Sequence, residues 1–227
     1  MTTIVLLPGM DGTGTLYAPL YKALNGRCRL IVVTYPVDQA LDYATLETVA
    51  RTYLPEDEDY MLLGESFSGP IAISIAASQP PGLRTLILCA SFARNPRPSL
   101  AGFRHLLPCL PVRMAPLALL SYLLLGKFST AEWRQLLTSA LAGVSSDILK
   151  ARMRSVLLAD VRGKLSDIKV PVLYLRATQD RLVPASAHKD IQKCLPSTEL
   201  YEFDAPHFLL QVRAKEVADF IAAYRRH

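Results

Sequence analysis

Residues 61–77 read MLLGESFSGPIAISIAA, and Tyr60 opens the apolar run YMLL that leads into them. That run predicts a strand, the stretch from Pro70 to Ser78 predicts a helix of small apolar residues, and Ser66 stands at the bend between the two. Gly64-Glu65-Ser66-Phe67-Ser68-Gly69 is read as the G-x-S-x-G strand–turn–helix motif with Ser68 in the place of its second glycine; in that motif a serine occupies a strained turn and offers its hydroxyl at the end of a sheet. The residues two before and two after such a serine must be small, because their side chains would otherwise collide. Gly64 and Ser68 meet that demand, with Gly69 next in line. A Gly-rich turn without reactivity is the competing reading, and the rest of the chain decides between them by whether it supplies a base.

Around this turn, short apolar runs recur at Ile4–Leu7, Leu30–Thr34, Tyr60–Leu63, Thr85–Cys89, Val172–Leu175 and Glu199–Phe203. They are continuous rather than alternating, as strands buried on both faces of a parallel sheet require. Helical patterns fit between them at Leu16–Leu24, Leu41–Tyr53, Pro70–Ser78, Ala187–Cys194 and Ala214–Tyr224. Strand alternating with helix predicts an α/β fold. The rhythm breaks between about Arg94 and Lys164, where Leu-rich, Pro-broken helical patterns take over, and resumes at KVPVLYLRA. We therefore expect a core of residues 1–91 and 166–227 and a helical cap, 92–165, over the edge where the strands end.

The 227 residues suffice for one sizeable core, and 51% hydrophobic with 20% charged residues excludes disorder as the main state. A net charge of +5 is too modest to argue for nucleic acid. Cys28, Cys89, Cys109 and Cys194 are scattered, with no CxxC and no paired His spacing, which argues against a disulfide framework, a metal site or a metal cofactor. With MTTIVLLPG reading as a strand rather than a leader, the expected location is cytoplasmic. The apolar stretch 105–125 is interrupted by Pro108, Pro111, Arg113 and Pro116, so a hydrophobic surface helix is expected there, with no transmembrane segment.

A serine hydroxyl becomes a useful nucleophile only when a base takes its proton. Of the four histidines, His105 falls in the expected cap, His188 on a helix surface and His227 at the terminus, where fraying is expected. His207 follows the last strand, at the sheet edge that also carries Ser66. The orienting carboxylate is expected at Asp180, in ATQDRLVP just past a strand; Asp204 is the rival but more naturally braces its loop, and Asp190 reads as a solvated helix residue. The oxyanion of a tetrahedral intermediate needs N–H donors, and the backbone N–H groups of Phe67 and of Met10, in LLPGMDGTG, are the candidates. Gly9-Met-Asp-Gly-Thr-Gly14 matches neither a dinucleotide nor a P-loop pattern, so no nucleotide cofactor is expected; Asp11 reads as an Asp-Gly turn residue.

LLPGMDGTG, GESFSG, ATQDRLVP and APHFLLQ, in this order, resemble the α/β-hydrolase superfamily, and PGMDGTG with GESFSG is similar to the hydrolase portion of phytyl ester synthases and to small bacterial esterases. The resemblance implies a triad of Ser66, Asp180 and His207, a cap, and a mostly parallel sheet trimmed to about six strands because no hairpin precedes the first one. The chain departs from the common pattern in Pro8-Gly9, where many members have His-Gly, and in Glu65, where His is frequent.

From Arg94 to Lys164, eleven Lys and Arg stand against three acids, making that segment +8 and the remainder of the chain −3. Such segregation steers acidic partners, and the Leu content suits an acyl chain. This combination resembles pimeloyl-acyl-carrier-protein methyl ester esterases and implies an acyl carrier protein docking on Arg152, Arg154 and Arg162. Arginines that merely wet a greasy cap are the alternative. The expected activity is a serine carboxylic ester hydrolase acting through an acyl-enzyme on a small-molecule ester. An acyltransferase or thioesterase would use the same residues, and a ligand-binding protein on this scaffold would use none of them.

Overall fold

The computed structural model describes residues 2–107 and 116–224; Pro108, Cys109, Pro111, Arg113 and His227 lie outside the described residues, as does the side chain of Arg104. The six apolar runs are the six strands of one sheet: β1 (Thr2–Leu7), β2 (Cys28–Val32), β3 (Tyr60–Glu65), β4 (Leu83–Cys89), β5 (Val172–Ala177) and β6 (Glu199–Phe203). They lie in the order β2-β1-β3-β4-β5-β6, and every neighbouring pair is parallel. The central strand β3 is buried at every position, whereas the edge strand β6 is half-buried or exposed throughout.

Side chains on the strands sort by the period of two. Val5, Leu7, Leu62, Leu86, Leu88, Val172 and Tyr174 face one side, and Ile4, Leu6, Leu63, Ile87, Leu173 and Leu175 the other. Helices α2 (Tyr43–Arg51), α3 (Gly69–Ala77) and α7 (Ser186–Cys194) cover the first face, and α1 (Ala18–Leu24), α8 (Leu209–Val212) and α9 (Ala214–Ala223) the second. Helix α2 starts two residues later than its apolar pattern because Asp42 accepts from the Thr45 N–H at 2.9 Å and sets the N-cap. The four-residue α8 follows too closely on His207 to show a helical period in the sequence.

Between β4 and β5 the described residues form helices α4 (Leu117–Leu124), α5 (Ala131–Ala142) and α6 (Ser146–Leu158) with several 3-10 turns, and a single antiparallel bridge of Arg94 with Asp160. Thr130 and Ser145 cap α5 and α6 through their hydroxyls. This insertion touches three loops at the carboxyl ends of the strands. Ile148 and Leu149 pack with Met10 after β1, the Phe208 N–H donates to Leu124 O after β6, and Arg97 donates to the carbonyls of Arg181 and Leu182 after β5. Among the described residues no helix is long and apolar enough to cross a membrane.

Candidate active site

The chain runs out from β1 to β2 on one side and to β3 on the other, so the crevice between β1 and β3 is a topological switch point, where open α/β sheets bind their ligands. Ser66 sits there, on the first residue after β3, with φ of +47°. A left-handed serine is strained, and the fold holds it from several sides. The Ser91 hydroxyl donates to Ser66 O at 2.5 Å, Tyr174 Oη donates to Ser91 O at 2.5 Å, and Tyr43 Oη donates to Phe67 O at 2.9 Å. A methyl group on Gly64 would lie 2.7 Å from the Ala72 side chain, and one on Gly69 would lie 1.8 Å from Ser91 Oγ. The smallness that the sequence shows is therefore a matter of close packing between strand, turn and helix.

His207 follows β6 and is buried. Its Nε2 lies 2.8 Å from Ser66 Oγ and its Nδ1 lies 2.7 Å from Asp180 Oδ2. A carboxylate only accepts, so Nδ1 carries the hydrogen and Nε2 is left to accept from the serine hydroxyl. The second oxygen of Asp180 accepts from the N–H groups of Leu182, at 2.8 Å, and Val183, at 2.9 Å, which locks the carboxylate. Burial works against a charge on the ring, but the charge and hydrogen bond of Asp180, with Glu65 behind them, outweigh it and hold the His207 pKa above its ordinary value.

The loop after β1 closes the other side. Met10 follows Gly9, and the Gly12 N–H donates to Gly9 O at 3.1 Å, forming a tight turn. Ser68, two residues past Ser66, donates to Pro8 O and receives Tyr35 Oη at 2.8 Å, so the turn carrying Phe67 is tied to the loop carrying Met10. Asp11 Oδ2 accepts from the Thr13 N–H, as an Asp-Gly turn would have it.

Residues that the sequence reading kept apart fall elsewhere. Asp204 does not touch His207; its carbonyl receives Arg213 at 2.8 and 3.0 Å, a bracing role. His188 is buried, not on the surface as expected, because α7 turns it toward Tyr174, with ring centroids 5.8 Å apart. Asp190 is paired with Arg94 at 2.7 Å rather than solvated. Arg152 is 2% exposed and donates to three backbone carbonyls, so no carrier protein reaches it; Arg162 is paired with Asp160 at 2.6 Å, and Arg154 alone of the three is exposed and has no ion pair among the described residues. The expectation of three docking arginines is corrected accordingly. The residues that sequence reading missed are the supports: Ser68, Ser91, Tyr35, Tyr43 and the buried Glu65–Gln211 pair, joined at 3.1 Å.

The geometry has a counterpart in known proteins. Residues 4–220 match the model of the alpha/beta hydrolase family. The chain belongs to that family. Among curated relatives, phytyl ester synthase 1 of Arabidopsis thaliana is 26% identical over 81% of this alpha/beta hydrolase, which spans only 31% of that enzyme. The pimeloyl-[acyl-carrier protein] methyl ester esterase of Vibrio campbellii is 26% identical over 92% of both chains. A solved lipase-esterase related protein from Clostridium acetobutylicum superposes with a TM-score of 0.80 at 18% identity, covering 99% of this hydrolase and 94% of that chain. It shares the fold.

Proposed function

We propose that this alpha/beta hydrolase is a serine ester hydrolase that works through an acyl-enzyme, with residues 92–165 as its cap. The observation that carries the reading is the continuous line from Asp180 through His207 to Ser66, with contacts of 2.7 and 2.8 Å. By their names one of the two curated relatives makes an ester and the other is an ester esterase, and the latter matches along nearly its whole length.

In this reading Ser66 Oγ attacks the ester carbonyl carbon as its proton passes to His207 Nε2. The imidazolium is stabilised by Asp180, and the N–H groups of Met10 and Phe67 receive the oxyanion. Collapse of the tetrahedral intermediate breaks the carbon–oxygen bond, and His207 returns the proton to the leaving alcohol. Water, deprotonated by the same ring, then releases the acid and regenerates the serine. The Leu-rich insertion over the strand ends suits a substrate with a hydrophobic acyl group.

Ser66→Ala is expected to lower kcat toward a short-chain p-nitrophenyl ester by about three to six powers of ten and to abolish labelling by a fluorophosphonate. Equal turnover by the two proteins defeats the reading. An added long-chain alcohol separates the hydrolase from an acyltransferase: free acid remains the product in the first case, and a new ester forms in the second.

A further inference from the structure

Arg152 is among the largest fully buried side chains of the protein, yet it comes from α6, in the insertion. Its Nη1 donates to Met10 O at 2.8 Å and to Asp11 O at 2.7 Å, and its Nη2 donates to Pro36 O at 3.0 Å. The Tyr35 ring lies 5.9 Å from its Cζ. The space it fills is the one left open by Gly12, where a side-chain carbon would stand 2.5 to 2.8 Å from the guanidinium, and Gly12 also holds a φ of +72°. The Tyr35 N–H in turn donates to Gly12 O at 2.8 Å.

A buried guanidinium bonded to three carbonyls is expensive, because it leaves water for neutral partners. What it gains is geometry. Pro8 O is held by Ser68, Gly9 O by the Gly12 N–H, and Met10 O and Asp11 O by Arg152. The Gly9–Met10 peptide, whose N–H is the candidate oxyanion donor, therefore lies between two anchored peptides. With its carbonyl engaged by Gly12, its N–H must point the opposite way.

Resting on the ester-hydrolase reading, we propose that Arg152 is a positioning residue for the oxyanion loop, through which the insertion completes the active site. It touches no reacting atom; it sets the direction of the Met10 N–H. A lysine cannot replace it, since an ammonium lacks the planar fork that reaches carbonyls on two loops at once.

Beside a control at Arg154, the test uses the intact protein and three variants: Arg152→Lys, Arg152→Ala and Gly12→Ala, the last displacing the guanidinium while leaving it in the chain. Each is expected to lower kcat about 10- to 100-fold on a p-nitrophenyl ester, less than the full loss of an oxyanion donor. KM should change by less than about threefold, and affinity for an alkyl boronic acid, which forms a tetrahedral adduct on Ser66, should fall in parallel with kcat. Guanidinium chloride at about 50 mM should restore part of the activity of Arg152→Ala, and equal sodium chloride should not. The exposed neighbour Arg154→Ala should match the parent in every readout.

A folded Arg152→Lys or Gly12→Ala protein whose kcat and boronate affinity stay within about twofold of the parent overturns the proposal. So does a loss in which kcat and thermal stability fall together and guanidinium restores neither, since that is the mark of a merely structural clamp. If the parent itself resists fluorophosphonate, the ester-hydrolase reading fails, and that result is recorded independently of any change at Arg152.

Discussion

Glu65, a single buried acid next to Ser66, bears on both stability and the proposed chemistry. Burial raises its pKa, the hydrogen bond from Gln211 lowers it, Asp11 raises it and His207 lowers it, with the result pushed up to about 7. Its Oε2, like Asp11 Oδ1, is buried without a protein partner, and both flank Gly9. Between about pH 4.5 and about 7 the unfolded chain has released a proton that the folded protein keeps, so stability falls as pH rises through that window and levels off above it. The change amounts to about 3 kcal/mol. In Glu65→Gln the Glu65 part of the slope is expected to disappear from urea titrations run from pH 5 to 8, leaving the smaller fall that the raised His207 pKa contributes. Removing the carboxylate also removes one group that favours the charged imidazole, so the acid limb of kcat/KM against pH, which lies above the ordinary histidine value in the parent, should move to lower pH. An unmoved limb would mean that Glu65 is neutral throughout the working range. That Ser66, Asp180 and His207 meet was legible because each follows a strand and the order of the three is informative. The partner of Glu65 was not: Gln211 lies 146 residues away, and no local pattern marks it.

The turn after β3 is joined to the loop after β1 by one hydroxyl. Ser68 donates to Pro8 O and accepts from Tyr35 Oη, so Ser68→Ala strands a buried carbonyl and a buried phenol together. The expected cost is about 1–3 kcal/mol for each group left unpaired. Tyr35→Phe removes a donor and leaves the Ser68–Pro8 bond in place, and should cost about 1 kcal/mol or less beyond any packing change. Urea unfolding of the two variants checks this, and equal losses would show that Tyr35, not Pro8, is the partner that matters. The strands and most helices could be read from apolar runs because burial on two faces leaves an unbroken signal. For want of such a signal, Arg152 and Arg154 were grouped together as docking residues on α6. Ile148 and Arg152 are four residues apart and share its buried stripe, while Arg154 lies about 200° away from Arg152 around the helix. Counting charges grouped residues that helical spacing separates.

The segregation of charge between insertion and core, +8 against −3, invites a reading in terms of an acidic partner. The folded molecule uses much of that charge internally. Arg94 pairs with Asp190, Arg97 holds two carbonyls of the Asp180 loop, Arg152 holds three others, Arg162 pairs with Asp160, and Lys164 donates to Ser74 Oγ at 2.9 Å. Apart from the Arg162–Asp160 pair, which lies within the insertion, these groups fasten it to the core, and Arg152 and Arg97 brace the loops bearing Met10 and Asp180. Exposed charges attract a partner through water, where the interaction is screened beyond roughly 8–10 Å at physiological salt; a cation that already faces a carboxylate, as Arg94 and Arg162 do, adds little to that field, and the buried Arg152 is out of a partner's reach. If the basic insertion serves the fold more than a carrier, then kcat/KM for a free methyl ester and for the same acyl group linked to an acidic carrier protein should agree within about tenfold. Raising sodium chloride from about 50 to 300 mM should then change their ratio by no more than about threefold. A carrier-linked substrate favoured by several hundredfold at low salt, with the advantage lost at high salt and in Arg154→Ala, would show instead that the remaining exposed cations suffice to dock it.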